Sequence, residues 1–153
     1  MKTTRLALIA LVCFALAGDA LAWRWPEKVD ASDAAAADEF GCATDVDGDW
    51  AVIGARHTAF GGAAGSAYFF QWDGAQWSQQ DKVLASDTES DDQFGEAVAL
   101  EGDWAVIGAT RPSPLAIGKA YFFQRSGTAW TEQDDVTDND PQSLFGESVD
   151  LSG

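Results

Sequence analysis

The chain spells one phrase twice. DEFGCATDVDGDWAVIGA, residues 38–55, returns 54 positions later as DQFGEAVALEGDWAVIGA, residues 92–109. Phe-Gly pairs begin at Phe40, Phe94 and Phe145. AYFFQ occurs at 67–71 and again at 120–124, and a Gly-x-x-Trp follows each copy, at Gly74 to Trp77 and Gly127 to Trp130. The spacing falls from 54 to 53 and then to 51 along the unit, so residues are lost in connecting segments, where length is tolerated. An ordered set of matches at a fixed period means a repeat architecture, in which each unit buries its apolar faces on its neighbours.

Each unit reads as four short strands. In the second copy these are Gly95 to Leu100, Trp104 to Ala109, Ala120 to Gln124 and Trp130 to Val136, rich in β-branched and aromatic residues. Asp47-Gly48 and Glu101-Gly102 lie between strands one and two, and Asp73-Gly74 and Ser126-Gly127 between three and four. Such pairs favour tight hairpins because glycine accepts a positive φ. No convincing helical period follows the leader; the alanines at 34–37 are too few to hold a helix alone. Strands two and three, AVIGA and AYFF, are apolar on both faces, whereas a one-sided sheet would alternate. Strand four, with Ser78, Gln79, Gln80 and Asp81, reads as a wet outer edge. Four-stranded meanders stacked face to face around an axis make a β-propeller. A linear stack or β-sandwich of the same units is the competing architecture.

The unit boundaries follow. Residues 40–93 are a first repeat, 94–144 a second, and 145–153 the start of a third. WRWPEKVDASD, residues 23–33, aligns with WSQQDKVLASD, residues 77–87, so 23–39 reads as the outer strand of an incomplete blade plus an acidic link. Ahead of it, Lys2 and Arg5, the apolar run from Leu6 to Ala17 and the small-x-small Ala20-Leu21-Ala22 match a secretory signal peptide over 1–22. The run is too short for a membrane span, and nothing after Ala22 is long and apolar enough for one. Secretion, or display at the cell surface on a longer chain, is the expected location.

Charge narrows the partners. Twenty-five acidic residues against nine basic give a net charge of −16, which argues against nucleic acid and anionic membranes. Past the leader only Cys42 remains, so no internal disulfide can form, and a buried or unpaired thiol is expected, with an intermolecular pair as the alternative. His57 is the sole histidine, which excludes a two-histidine metal site, and no serine stands in a nucleophile elbow. The chain is therefore not expected to be an enzyme.

In an antiparallel meander the two-to-three loops and the inter-blade links share one end. The long variable segments 56–66 and 110–119 lie there, on a repeated rigid scaffold, where recognition usually sits. Arg56, His57, Phe60 and Arg111 are the candidate ligand-binding residues, weighed against ordinary solvated loop positions. The links are acidic, with Asp33, Asp38, Glu39, Asp87, Glu89, Asp91, Asp92, Asp138 and Asp140; such runs are usually solvated surface. The tryptophans recur in register, which favours packing between blades over a sugar platform.

An FG pair, a strand, a Gly-Asp turn, a strand ending in VIGA, a loop and AYFF together resemble the FG-GAP repeat of integrin α-subunit propellers and many secreted microbial proteins. The resemblance covers nearly all of 23–153. It implies a propeller, here a partial one, because a ring needs at least about four blades. Further blades from a longer chain or from other subunits would complete it. It also implies ligand binding at the loop end, so an extracellular protein or glycan partner and a recognition or adhesion role are expected. A lectin-like propeller and an accessory propeller of a larger secreted enzyme are the alternatives. Calcium is the one cofactor the family suggests. Asp45, Asp47 and Asp49 of DVDGD are the candidate ligands, but this loop is shorter than the family pattern, and its counterpart from Ala99 to Asp103 is a plain hairpin.

Overall fold

A computed structural model describes residues 28–35, 37–57, 64–87, 89, 91–110, 117–138, 140 and 143–152. The proposed leader, residues 1–22, lies outside them. Eight strands form: β1 (Phe40–Asp47), β2 (Trp50–Ala55), β3 (Ser66–Trp72), β4 (Trp77–Val83), β5 (Ala97–Glu101), β6 (Trp104–Ala109), β7 (Lys119–Ser126) and β8 (Ala129–Val136). They make two antiparallel meanders, β1-β2-β3-β4 and β5-β6-β7-β8. Among the described residues there is no helix.

The hairpin glycines act as the sequence requires. Asp47 pairs with Trp50 across Gly48-Asp49, and Glu101 with Trp104 across Gly102-Asp103. Gly48 and Gly102 take φ of 57° and 58°, values that cost an ordinary L-residue about 1–2 kcal/mol. The outer pairs are bulged alike: the register slips between Phe69 and Phe70 and again between Phe122 and Phe123. Gln80 and Gln133 are the extra residues, and each turns its amide back to its own strand, to the carbonyls of Ser78 and Thr131.

The two sheets stack face to face. Trp50, Val52, Ala67, Phe69 and Val83 of the first meet Ala105, Ile107, Ala109, Tyr121, Phe123 and Trp130 of the second in one buried cluster. Trp130 supplies the main aromatic contact, lying parallel to Phe69 at 4.0 Å and edge-on to Trp50 at 5.9 Å. The other face of the first sheet, with Ala51, Ile53, Tyr68 and Phe70, forms a second cluster under Ala31, Val29 and Phe40. Burial on both faces explains why strands two and three carry no alternation. This is the arrangement of adjacent blades in a partial β-propeller.

The Phe-Gly pairs join sheet to sheet. Phe94 packs edge-on against Tyr121 and Phe123 of its own sheet, as Phe40 does against Tyr68 and Phe70. Its backbone N–H donates to Ala64 O of the preceding sheet at 2.7 Å, while Gly95 N–H donates to Gly108 O of its own at 3.0 Å. The dipeptide is thus threaded between sheets, with Gly95 at φ 93°. A Cβ on Gly54 would run into the carbonyl of Gly95, and one on Gly65 into that of Phe94. The same contacts recur one unit on, where Gly108 and Gly118 face Gly146 and Phe145.

The outer strand expected in 23–39 falls mostly on residues 23–27, which lie outside the described residues. Among the described residues of that segment, 28–35 and 37–39 carry no strand, and Val29 and Ala31 sit on the first sheet as Val83 and Ala85 sit on the second. Residues 145–152 likewise seat their Phe-Gly without forming a strand.

Gly54→Ala should destabilise the protein by about 1–3 kcal/mol in urea unfolding, because the obstructing atom is backbone and cannot rotate away. Gly108→Ala should cost less, since it displaces only the segment that begins at Phe145.

Candidate functional site

The end of the scaffold bearing the long loops holds Arg56 and His57; Phe60 and Arg111 lie outside the described residues. Arg56 follows β2, and its guanidinium is engaged through Nε and Nη1. Nε donates to Glu39 Oε2 at 2.8 Å, and Nη1 donates to both oxygens of Glu96 at 2.5 Å. Glu39 comes from the link before its own sheet and Glu96 from the next sheet, so Arg56 ties three segments together. Hydrogen bonds from Glu96, then Glu39, push its pKa further above the ordinary arginine value. In the second unit Thr110 takes this position and donates to Gln93, the counterpart of Glu39, at 3.1 Å. Arg56 thus has a joint-forming role that sequence alone did not reveal. His57 is half-buried, and its Nδ1 has no hydrogen-bond partner.

Two of the three DVDGD carboxylates also face the joint. Asp45 Oδ2 accepts the N–H of Leu100, and Asp47 Oδ2 accepts that of Gly102, each at 2.7 Å. Asp45 Oδ1 accepts its neighbour Val46 N–H at 2.8 Å. Asp49 contributes its backbone carbonyl, which accepts Trp72 N–H at 2.9 Å. Among the described residues no three histidine, cysteine or acidic side chains gather as metal ligands. On the outer side, Asp81 Oδ2 accepts Trp130 N–H at 2.7 Å. β5 and β8 each have a strand on one side only. The first sheet therefore covers donors along both edges of the second with charged acceptors, the stronger class of hydrogen bond.

The FG-GAP repeat model matches residues 23–70 and 77–123, most of the chain. The chain belongs to the FG-GAP repeat family. Among curated proteins none matches it. Each family match opens on an outer-strand sequence and runs on through the next three strands, so the repeat unit straddles the joint between sheets.

The FG-GAP frame also sets up two related ion-pair groups at the loop end. Asp33 accepts Tyr68 O–H at 2.9 Å and Lys82 Nζ at 2.6 Å. One unit on, Asp87 accepts Tyr121 O–H at 2.7 Å and Lys119 Nζ at 2.5 Å, with Asp135 also 3.0 Å from Lys119. The lysine changes strand between units while the aspartate and tyrosine keep register. Lys82, then Tyr68, hold the Asp33 carboxyl below the usual range. For Asp87, burial pulls upward, but Lys119 and Tyr121 together outweigh it and the net shift is downward. Burial, and after it the Asp87 contact, keep the Tyr121 phenol protonated. The cleft between Asp87, Asp92, Lys119 and Tyr121 holds about 80 Å³, well short of the roughly 300 Å³ at which ligand pockets begin.

Cys42 is a free thiol. The residue is exposed as a whole, but its sulfur is turned inward against Gly54, donating to Gly95 O at 3.2 Å. Burial of the sulfur raises its pKa and disfavours the thiolate. Among the described residues no helix is long and apolar enough to cross a membrane.

Asp45→Ala should cost about 1–3 kcal/mol by stranding the Leu100 donor. The loss in melting temperature should be the same with calcium or with a chelator; a calcium-dependent loss would point instead to a metal at DVDGD. Asp87 should contribute acid-labile stability. Its folded pKa lies below the ordinary 3.8, so the contribution is present above that value and lost as pH falls through the folded one. Asp87→Asn should thus lower the urea midpoint at neutral pH, with the gap to the parent closing below about pH 4.

Proposed function

We propose that the chain is a secreted, non-catalytic recognition module of the adhesion type, which binds an extracellular protein or glycan through its loop end. The observation that carries this reading is the division of labour between the scaffold's ends. The tight hairpins at 48–49 and 102–103 close one end, while the connections from β2 to β3, from β6 to β7 and from β4 to β5 start and finish at the other. A stack braced by the FG joints holds the strand ends from which those connections spring at fixed spacing, which is what a recognition surface needs. The small volume of the Asp87 cleft favours contact over an extended surface rather than capture of a small molecule. The acidic links favour a basic or polar partner face.

A glycan is the less favoured partner class. Trp50 and Trp130, two of the recurring rings that a sugar platform would use, are spent on the joint.

Arg111 and His57 are the test positions, because Arg56 is needed by the fold. A pull-down against extracellular proteins and a glycan array, repeated with Arg111→Ala and His57→Ala, should show binding reduced at least severalfold with the melting temperature unchanged. Binding that both variants leave intact would place recognition elsewhere.

A further inference from the structure

One short motif is seated twice. Val29-Asp30-Ala31-Ser32-Asp33 lies on the first sheet and Val83-Leu84-Ala85-Ser86-Asp87 on the second. In each the alanine is buried and the residue before it is exposed. The serine N–H donates to a side chain of the outer strand, Gln79 at 2.9 Å in one case and Glu132 at 2.8 Å in the other. The aspartate accepts a tyrosine hydroxyl and a lysine ammonium. Both receiving groups are set in advance. Lys82 lies over the Tyr68 ring at 5.1 Å and Lys119 over the Tyr121 ring at 5.7 Å, so cation and hydroxyl meet one carboxylate together.

The two seats differ in how firmly they hold. Residues 84–87 follow directly on β4, and Ser86 gives both its N–H and its hydroxyl to the charged Glu132. Asp135 adds a second carboxylate to Lys119. On the first sheet Gln79 is neutral and takes one bond, the weaker class of hydrogen bond. Among the described residues no backbone hydrogen bond runs from 28–33 to that sheet. Its grip on 28–33 is the burial of Ala31 beside Val29, the Gln79 contact and the Asp33 ion pair, whose carboxylate is half exposed.

We propose that the first sheet is an exchangeable seat for extended peptide segments of the form Val-x-Ala-Ser-Asp, filled in cis by 28–33 and open to a segment of a partner protein with the same chemistry. The seat sets its own selectivity. Burial at the third position admits only a small side chain, and the second position is free, as Asp30 and Leu84 show. The closing aspartate is read by charge, through Lys82 and Tyr68; asparagine would keep the shape and lose the ion pair. The chain carries a net charge of −16, so the flanks of an incoming segment are neutral or basic. This inference does not depend on what the loops bind.

An amidated, fluorescein-labelled peptide copying residues 82–87, titrated with the full chain and followed by anisotropy, tests this. Asp33→Asn loosens the resident segment and leaves Tyr68, Gln79 and Lys82 in place, so it should raise the affinity severalfold over the parent. A peptide with asparagine in place of its aspartate should bind severalfold more weakly. Lys82→Gln should remove that difference, and Tyr68→Phe should narrow it if Lys82→Gln fails to fold. Equal affinity of the parent and Asp33→Asn would mean that 28–33 does not give way, and would overturn the proposal. So would an Asp33→Asn chain that binds no peptide, or a preference for aspartate that survives the loss of the Lys82 charge.

Discussion

Backbone lies directly on backbone where the two sheets meet, and the rest of the packing follows from that closeness. Gly54 and Gly65 of the first sheet leave no side chain between themselves and the carbonyls of Gly95 and Phe94. The approach lets Phe94 N–H reach Ala64 O across the joint. It also sets how far Trp130 penetrates over Phe69 and which edge donors lie within reach of Asp45, Asp47 and Asp81. The family's name records two of the residues that make this possible. The Phe anchors the dipeptide on its own sheet, and the Gly lets it pass close to the neighbouring one.

The sheets have an inner and an outer rim, and each rim solves the same problem with the same chemistry. A strand with one neighbour shows a row of N–H groups to solvent, an invitation to any passing strand. Carboxylates from the preceding sheet take those donors at Leu100, Gly102 and Trp130. Part of the chain's acidity therefore serves its own joint. Arg56 does the reverse, carrying a cation to the carboxylates of Glu39 and Glu96.

The strands were legible because their determinants are local: hairpin glycines, two-faced apolar runs and a repeated phrase. Trp104–Ala109 appears as read, and the other strands of that unit differ by a residue or two at their ends. The tryptophan register correctly pointed to inter-sheet packing, as Trp130 shows. What sequence hid were partners set by stacking. Arg56 read as a free loop cation because Glu96 lies 40 residues ahead. Asp45 and Asp47 stood as candidate calcium ligands on their place in DVDGD alone, and the donors they meet lie 55 residues away. Comparison of the units gave no warning, since Ala99 and Glu101 occupy those positions next time. Asp81 left a fainter trace: Gln80-Asp81 recurs as Gln133-Asp134, bulge and all.

Near-identical units carry a hazard during folding, because a strand can be adopted by the wrong copy as readily as by the right one. The charged groups are where the copies disagree. The cation that meets the tyrosine-bound aspartate comes from β4 in one unit and β7 in the other, and the arginine bridge of the first unit becomes a threonine–glutamine contact in the second. A misplaced strand would keep its greasy contacts and its turns but bring lysine, arginine and carboxylates together in the wrong combinations. Those few mismatched charges act as address labels on otherwise interchangeable parts, and they let a monotonous sequence settle into one order of assembly.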